Sequence, residues 1–118
     1  MSQSRRKRPE ESDADFTLDL ICGRWKVPIL MALHCAPQRT GHLVRALKGV
    51  SKNRLNDALR DLRRSGLIRR RDYPGSVPRV EYEVTPLGKS LCPIVVDLYE
   101  WGVRHRRKVE SARAAAGR

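Results

Sequence analysis

The sequence predicts a mainly α domain that carries one β-hairpin, an α+β chain, and three observations predict it. Apolar residues recur at three- and four-residue spacing through most of the central region. After Gly66 the spacing falls to two, and Val80, Tyr82 and Val84 alternate with Arg79, Glu81 and Glu83. Between the alternating run and "LIRRRDY" before it stands "YPGSVP", whose Pro74, Gly75 and Pro78 make a hairpin tip.

The elements follow in order. Residues 1–15 hold Arg5, Arg6, Lys7 and Arg8, then Glu10, Glu11, Asp13 and Asp15, with no large apolar residue beyond Met1. Such an arm buries too little to order itself and is expected to be disordered. The folded domain is expected over residues 16–107. Phe16, Leu18, Leu20, Ile21 and Trp25 predict a short helix ending near Gly23. "KVPILMALHCAP" predicts a second, with Pro28 in its first turn and Pro37 stopping it. "GHLVRALKG" predicts a third, closed at Gly49. The fourth runs from Ser51, an N-cap, to Ser65 before Gly66, a terminator. After the hairpin, Thr85 and Pro86 open a last helix with Leu87, Leu91, Ile94, Val95, Leu98 and Trp101 at helical spacing. Residues 108–118 are a basic, Ala-rich tail that could extend this helix, but Gly117 and the scarcity of apolar residues predict that it frays. A helical trio followed by a two-stranded hairpin is the arrangement of a winged helix-turn-helix. In that arrangement the last helix of the trio enters the DNA major groove and the hairpin is the wing.

Charge points the same way. The chain has 118 residues, the size of one domain, and a net charge of +12 with a pI near 10.6. This favours polyanionic partners, nucleic acid first and an anionic membrane surface second. No run approaches the ~18 apolar residues of a membrane span, and no apolar segment follows the N-terminal bases, so neither a membrane helix nor a secretory signal is expected. Cys22, Cys35 and Cys92 are an odd set without CxxC spacing, read as reduced thiols rather than a disulfide framework or zinc site. His34, His42 and His105 lack a carboxylate or cysteine constellation, and there is no glycine-rich phosphate loop. No enzyme, cofactor or metal site is expected.

On a helical wheel at ~100° per residue, Leu59, Leu62 and Ala58 fall within about 60° of Leu55 and form a core stripe. Opposite lie Asn53, Asp57, Arg60 and Arg64, flanked by Arg54, Asn56 and Asp61. Amides and guanidiniums are the groups that read base edges, Asn to adenine and Arg to guanine, and an acid there accepts from cytosine or holds an arginine. Lys52 at the helix start, with Arg63 and Arg69 to Arg71, suits phosphates, which set affinity and register, and Ser51 before it is also assigned to the DNA. Arg71, Tyr73, Ser76 and Arg79 at the hairpin suit the backbone or minor groove. The competing reading is an ordinary surface helix laced with charge pairs and a solvated turn whose arginine pairs with Glu81.

"LDLICGRWKVPILMAL", "SKNRLNDALRDLRRSGLI", "YPGSVPRVEYEVTPLGKSL" and "YEWG" together resemble the HxlR-type transcriptional regulators, relatives of the MarR group, over about residues 16–103. The carriers are Gly23, Arg24 and Trp25; Ser51, Leu55, Leu59, Arg60 and Leu62; and Tyr73, Pro74, Pro78 to Tyr82 and Thr85 to Gly88. The resemblance implies a regulator, here expected to be a repressor, in the bacterial or archaeal cytosol. It implies a homodimer that binds a pseudo-palindromic operator in double-stranded DNA. It also implies dimerisation through the N- and C-terminal helices, here Phe16, Leu20, Trp25, Leu91, Val95, Leu98 and Trp101. Arg39 matches a basic position of the family and is assigned to a phosphate. Many members sense electrophiles or oxidants with a cysteine before the first helix. Ser12 stands there in this chain, followed by Asp13 where a proline is usual, and Thr40 stands where a Phe is common. Cys22 is the substitute candidate for sensing a small-molecule or electrophile effector; the other reading makes it a buried inert thiol. The alternative for the whole chain is a non-specific nucleic-acid or nucleoid-associated protein.

Overall fold

The computed structural model describes residues 12–117. The elements are α1 (Asp13–Leu20), α2 (Lys26–Cys35), α3 (Thr40–Ala46), α4 (Lys52–Arg64), β1 (Ile68–Tyr73), β2 (Arg79–Val84) and α5 (Pro86–Ala116). Helix α1 starts inside the expected arm. The Ser12 hydroxyl accepts from the Asp15 amide at 3.1 Å, and the Asp15 carboxylate accepts from the Ser12 amide at 3.4 Å. This reciprocal cap satisfies two donors that a helix start leaves open. The remainder of the arm, residues 1–11, lies outside the described residues.

The core is built by α2 to α5 and the hairpin. Ile29, Leu30 and Leu33 of α2 are buried, as is Leu43 of α3. Leu55, Ala58, Leu59 and Leu62 of α4 are buried together, so the wheel's stripe is the face that packs. Each fully buried leucine contributes about 1.5–3 kcal/mol relative to an exposed one. Helix α4 ends where Gly66 turns left-handed, at φ +77°. There the Leu67 amide donates to Leu62 O and the Gly66 amide to Arg63 O, satisfying carbonyls the helix leaves open.

The hairpin pairs antiparallel from Ile68 opposite Val84 to Tyr73 opposite Arg79. Its inner face buries Ile68, Tyr82 and Val84 on the helices. Gln38, just before α3, adds a bridge unforeseen in the sequence: its amide donates to Tyr82 O at 3.0 Å and its carbonyl accepts from the Tyr82 amide at 2.8 Å. The entry to the helix-turn-helix is thereby fastened to the wing.

Helix α5 runs 31 residues, about 46 Å at 1.5 Å per residue. The segment from 108, expected to fray, is helical through Ala116, consistent with the high helix propensity of "ARAAA". Its first turns are locked to the end of α4. The Thr85 hydroxyl accepts from the Gly88 amide at 3.0 Å and donates to Gly66 O at 2.6 Å, and the Thr85 amide donates to Leu67 O at 3.0 Å. Two residues assigned from sequence to a dimer interface are spent elsewhere. Leu91 and Val95, 9% and 1% exposed, face the chain's own core. The apolar run of α5 has two sides, and the register of the packed side decides which residues stay available.

Candidate nucleic-acid interface

Helices α3 and α4 form the helix-turn-helix, and the stripe that buries α4 leaves its other face in solvent. Asn53, Arg54, Asn56, Asp57 and Arg60 are all exposed there. The Ser51 hydroxyl caps the helix, accepting from the Arg54 amide at 3.1 Å, so its oxygen has a structural task at the site it was assigned to. Arg60 Nη1 donates to Asp57 Oδ1 at 3.1 Å. Arg64, grouped with these residues by the wheel, lies in the last turn and lines an open groove of about 1050 Å³ against α1 and α5. Lys26 at the start of α2 pairs with Asp61 at 3.5 Å in that groove and ties α4 to α2. Among the described residues, Arg39, Lys52 and Arg54 are exposed and carry no ion pair, which leaves their charge available to an anion.

The wing arginines, by contrast, are all held. Arg69, Arg71, Glu81, Glu83, Tyr73 and Arg79 share its outer face, because alternate residues of a strand point the same way. Arg69 Nε and Arg71 Nη1 donate to the same Glu83 oxygen at 2.6 and 3.1 Å. Arg70 pairs with Asp72 at 3.0 Å. The Arg79 guanidinium lies 4.7 Å from the centre of the Tyr73 ring and 3.8 Å from Glu81. Side-chain pattern alone does not single out Glu83; the hairpin register that sets it opposite Arg69 is the signal that finds it. The hydrogen bond from Arg69, then that from Arg71, holds the Glu83 carboxyl below its ordinary value of 4.5, against an opposing effect of burial. A carboxyl lowered on folding stabilises the fold above its unfolded value, and that contribution is lost as pH falls through the folded one. Thermal melts below pH 4.5 are therefore expected to show a weaker pH dependence in Glu83→Gln than in the wild type.

The family model of HxlR-like helix-turn-helix proteins matches residues 20–110. The chain belongs to this family. It is 40% identical over 88 residues to the HTH-type transcriptional regulator YkvN of Bacillus subtilis, covering 75% of each chain. It is 33% identical over 116 residues to YybR of the same organism, covering 97% of this chain and 93% of that one. Among solved structures it superposes on the redox regulator HypR in its reduced form with a TM-score of 0.80 at 34% identity, over 85% of this chain and 99% of HypR. This HxlR-family chain is a transcriptional regulator with a DNA-binding winged helix.

Three further features of this HxlR-like chain bear on regulation and assembly. Ser12, which the resemblance sets at the family's common cysteine position, is used as the cap of α1. Cys22 is exposed, so the reading of it as a buried thiol does not hold; it follows α1 directly, where the chain has already left the helix. Cys35 is exposed and Cys92 is buried, and burial pushes the Cys92 thiol up. A thiol reagent applied to the native protein is expected to modify Cys22 and Cys35 and to reach Cys92 only after unfolding, read by mass spectrometry. Of the residues assigned to a dimer interface, Phe16, Leu98 and Trp101 are exposed, and Leu20 and Trp25 are half-buried against the core. Among the described residues there is no group of three or more His, Cys, Asp or Glu that could hold a metal ion, and no helix long and apolar enough to cross a membrane.

Proposed function

We propose that the chain represses transcription as a homodimer that binds a pseudo-palindromic operator, with α4 of each protomer in a major groove and the wing on the backbone or minor groove. The observation that carries this reading is the exposed face of α4, where Asn53, Asn56 and Arg60 stand together over a fully packed leucine stripe. These side chains match base edges, and a helix anchored on its opposite face presents them rigidly. Arg39 before α3, Lys52 and Arg54 at the start of α4, and Arg70, Arg71, Tyr73 and Arg79 on the wing supply the sequence-independent contacts to phosphate.

The two-fold partner is supported by what the single chain leaves uncovered. No residue of α1 is buried, and α5 has no buried residue beyond Val95. Ile94, Leu98, Trp101 and Val103 are 53%, 44%, 54% and 64% exposed. An eight-residue helix in water is unstable without tertiary packing, and a second copy supplies it. The exposed Cys22 makes an electrophile or oxidant the effector class to test first.

Selection of bound duplexes from a random pool tests the reading. The expected result is two inverted half-sites about one helical turn, or a multiple of it, apart. Equal affinity for selected and random duplex would instead favour non-specific nucleic-acid binding, the reading to which the charge of +12 alone would lead. A Cys22→Ser protein that still releases DNA on oxidation removes Cys22 from any switch.

A further inference from the structure

We infer that Asp57 reads no base itself and is a positioning residue that aims Arg60 at one. The inference rests on the proposal that α4 lies in a major groove, and it assigns different tasks to two neighbours on that face.

An acid on a helix that enters a groove walled by phosphates is unfavourable in every sequence unless it accepts a hydrogen bond there. Asp57 has its donor within the protein. Arg60 Nη1 lies 3.1 Å from Asp57 Oδ1, three residues and about one turn along the helix. A guanidinium has five N–H groups in a fixed plane. The pair engages a donor nitrogen on one side, and the edge formed by Nε and Nη2 stays open. That edge has the geometry of a bidentate contact to O6 and N7 of guanine. Without Asp57, the long arginine stem is free to swing to the nearest phosphate, a contact that carries no sequence information.

Both side chains are well exposed in the free chain, 59% and 68%, so the pair is weak there. Its effect belongs to the complex. Once the groove excludes water, the attraction between the two charges strengthens and the arginine is held in plane. Among the described residues Asn53 and Asn56, one turn before Asp57 and Arg60 in turn, have no such partner and are left to read bases directly.

A double-mutant cycle on the selected duplex and its single-base variants tests this. Arg60→Ala identifies the base position at which preference is lost. Asp57→Ala is expected to lose preference at that same position, on the order of tenfold. Its affinity for random duplex is expected to be unchanged or tighter, because a negative charge facing phosphates is gone. The double variant is expected to lose no more preference than Arg60→Ala alone, and Asp57→Glu, which keeps a carboxylate within reach of Arg60, is expected to restore it. Loss of preference at a different base in Asp57→Ala, or losses that add in the double variant, would overturn the inference and make Asp57 a reader in its own right. A wild-type protein that selects no sequence at all would overturn both this inference and the proposal beneath it. Circular dichroism melts of the variants check that each remains folded.

Discussion

Replacing Gly88 with alanine is expected to lower the melting temperature by roughly 10 °C or more. A Cβ at this position would stand 2.0 Å from the Leu67 carbonyl oxygen and 3.0 Å from its carbon. Both are backbone atoms, so no side-chain rotation relieves the clash. The same carbonyl accepts the Thr85 amide, and the Thr85 hydroxyl bridges Gly66 O and the Gly88 amide. To admit one methyl group, α5 must therefore move away from the end of α4 and break bonds that hold the two together. Overpacking costs about 1–3 kcal/mol where side chains yield, and the upper end of that range applies where only backbone can. At about 4 °C per kcal/mol for a chain of this size, the shift is easily measured by circular dichroism. An unchanged melting temperature would show that α5 stands off from Leu67. Because α4 and the wing share this junction, the loss of stability should be accompanied by weaker DNA binding.

The second large effect separates base reading from phosphate contact. Asn53→Ala is expected to weaken binding to the selected duplex on the order of tenfold while leaving affinity for random duplex nearly unchanged, because a bidentate amide contact exists only on the matching base. Arg71→Ala is expected to weaken both by the same factor and to reduce the slope of log affinity against log salt by about one per protomer, since each phosphate contact releases about one counterion. Arg71 is held by Glu83 in the free chain, so a phosphate must compete with that carboxylate. Measured as a salt series on both duplexes, equal losses for Asn53→Ala on the two would place Asn53 on the backbone.

Much of this architecture is legible in the residue order because its signals are local. The period of Leu55, Ala58, Leu59 and Leu62 names the packed face of α4, and the structure buries those four residues. Ser51 and Gly66 bracket the helix, and both act as caps. The alternation of Val80, Tyr82 and Val84 shows the inner face of the hairpin. The outward face of α4 follows from the same period, which is why Asn53, Asn56, Asp57 and Arg60 were found together. The same wheel groups Arg64 with them but carries no information on where along its length a helix meets its neighbours, and Arg64 lines the groove against α1 and α5.

What distance in sequence conceals is of another kind. Glu83 holds Arg69 and Arg71, residues 14 and 12 positions away, and this depends on strand register. Gln38 pairs with Tyr82 through backbone groups that every residue type possesses, so no pattern of side chains announces it. The expected tail proved to be helix because its alanines favour that state even where nothing packs on them.

The sequence by itself determined the order and type of the elements, the packed stripe of the recognition helix, the basic character of its surroundings and the family. Each of these depends on a residue and its near neighbours. Only the tertiary structure decided that Leu91 and Val95 belong to the core while Leu98 and Trp101 remain outside, that Cys22 is exposed, and that Asp57 holds Arg60. An amphipathic period fixes which residues of a helix share a face; which face meets the core is set by what the rest of the chain packs against it. A charged residue likewise carries its chemistry in its type, but its partner is chosen by the fold.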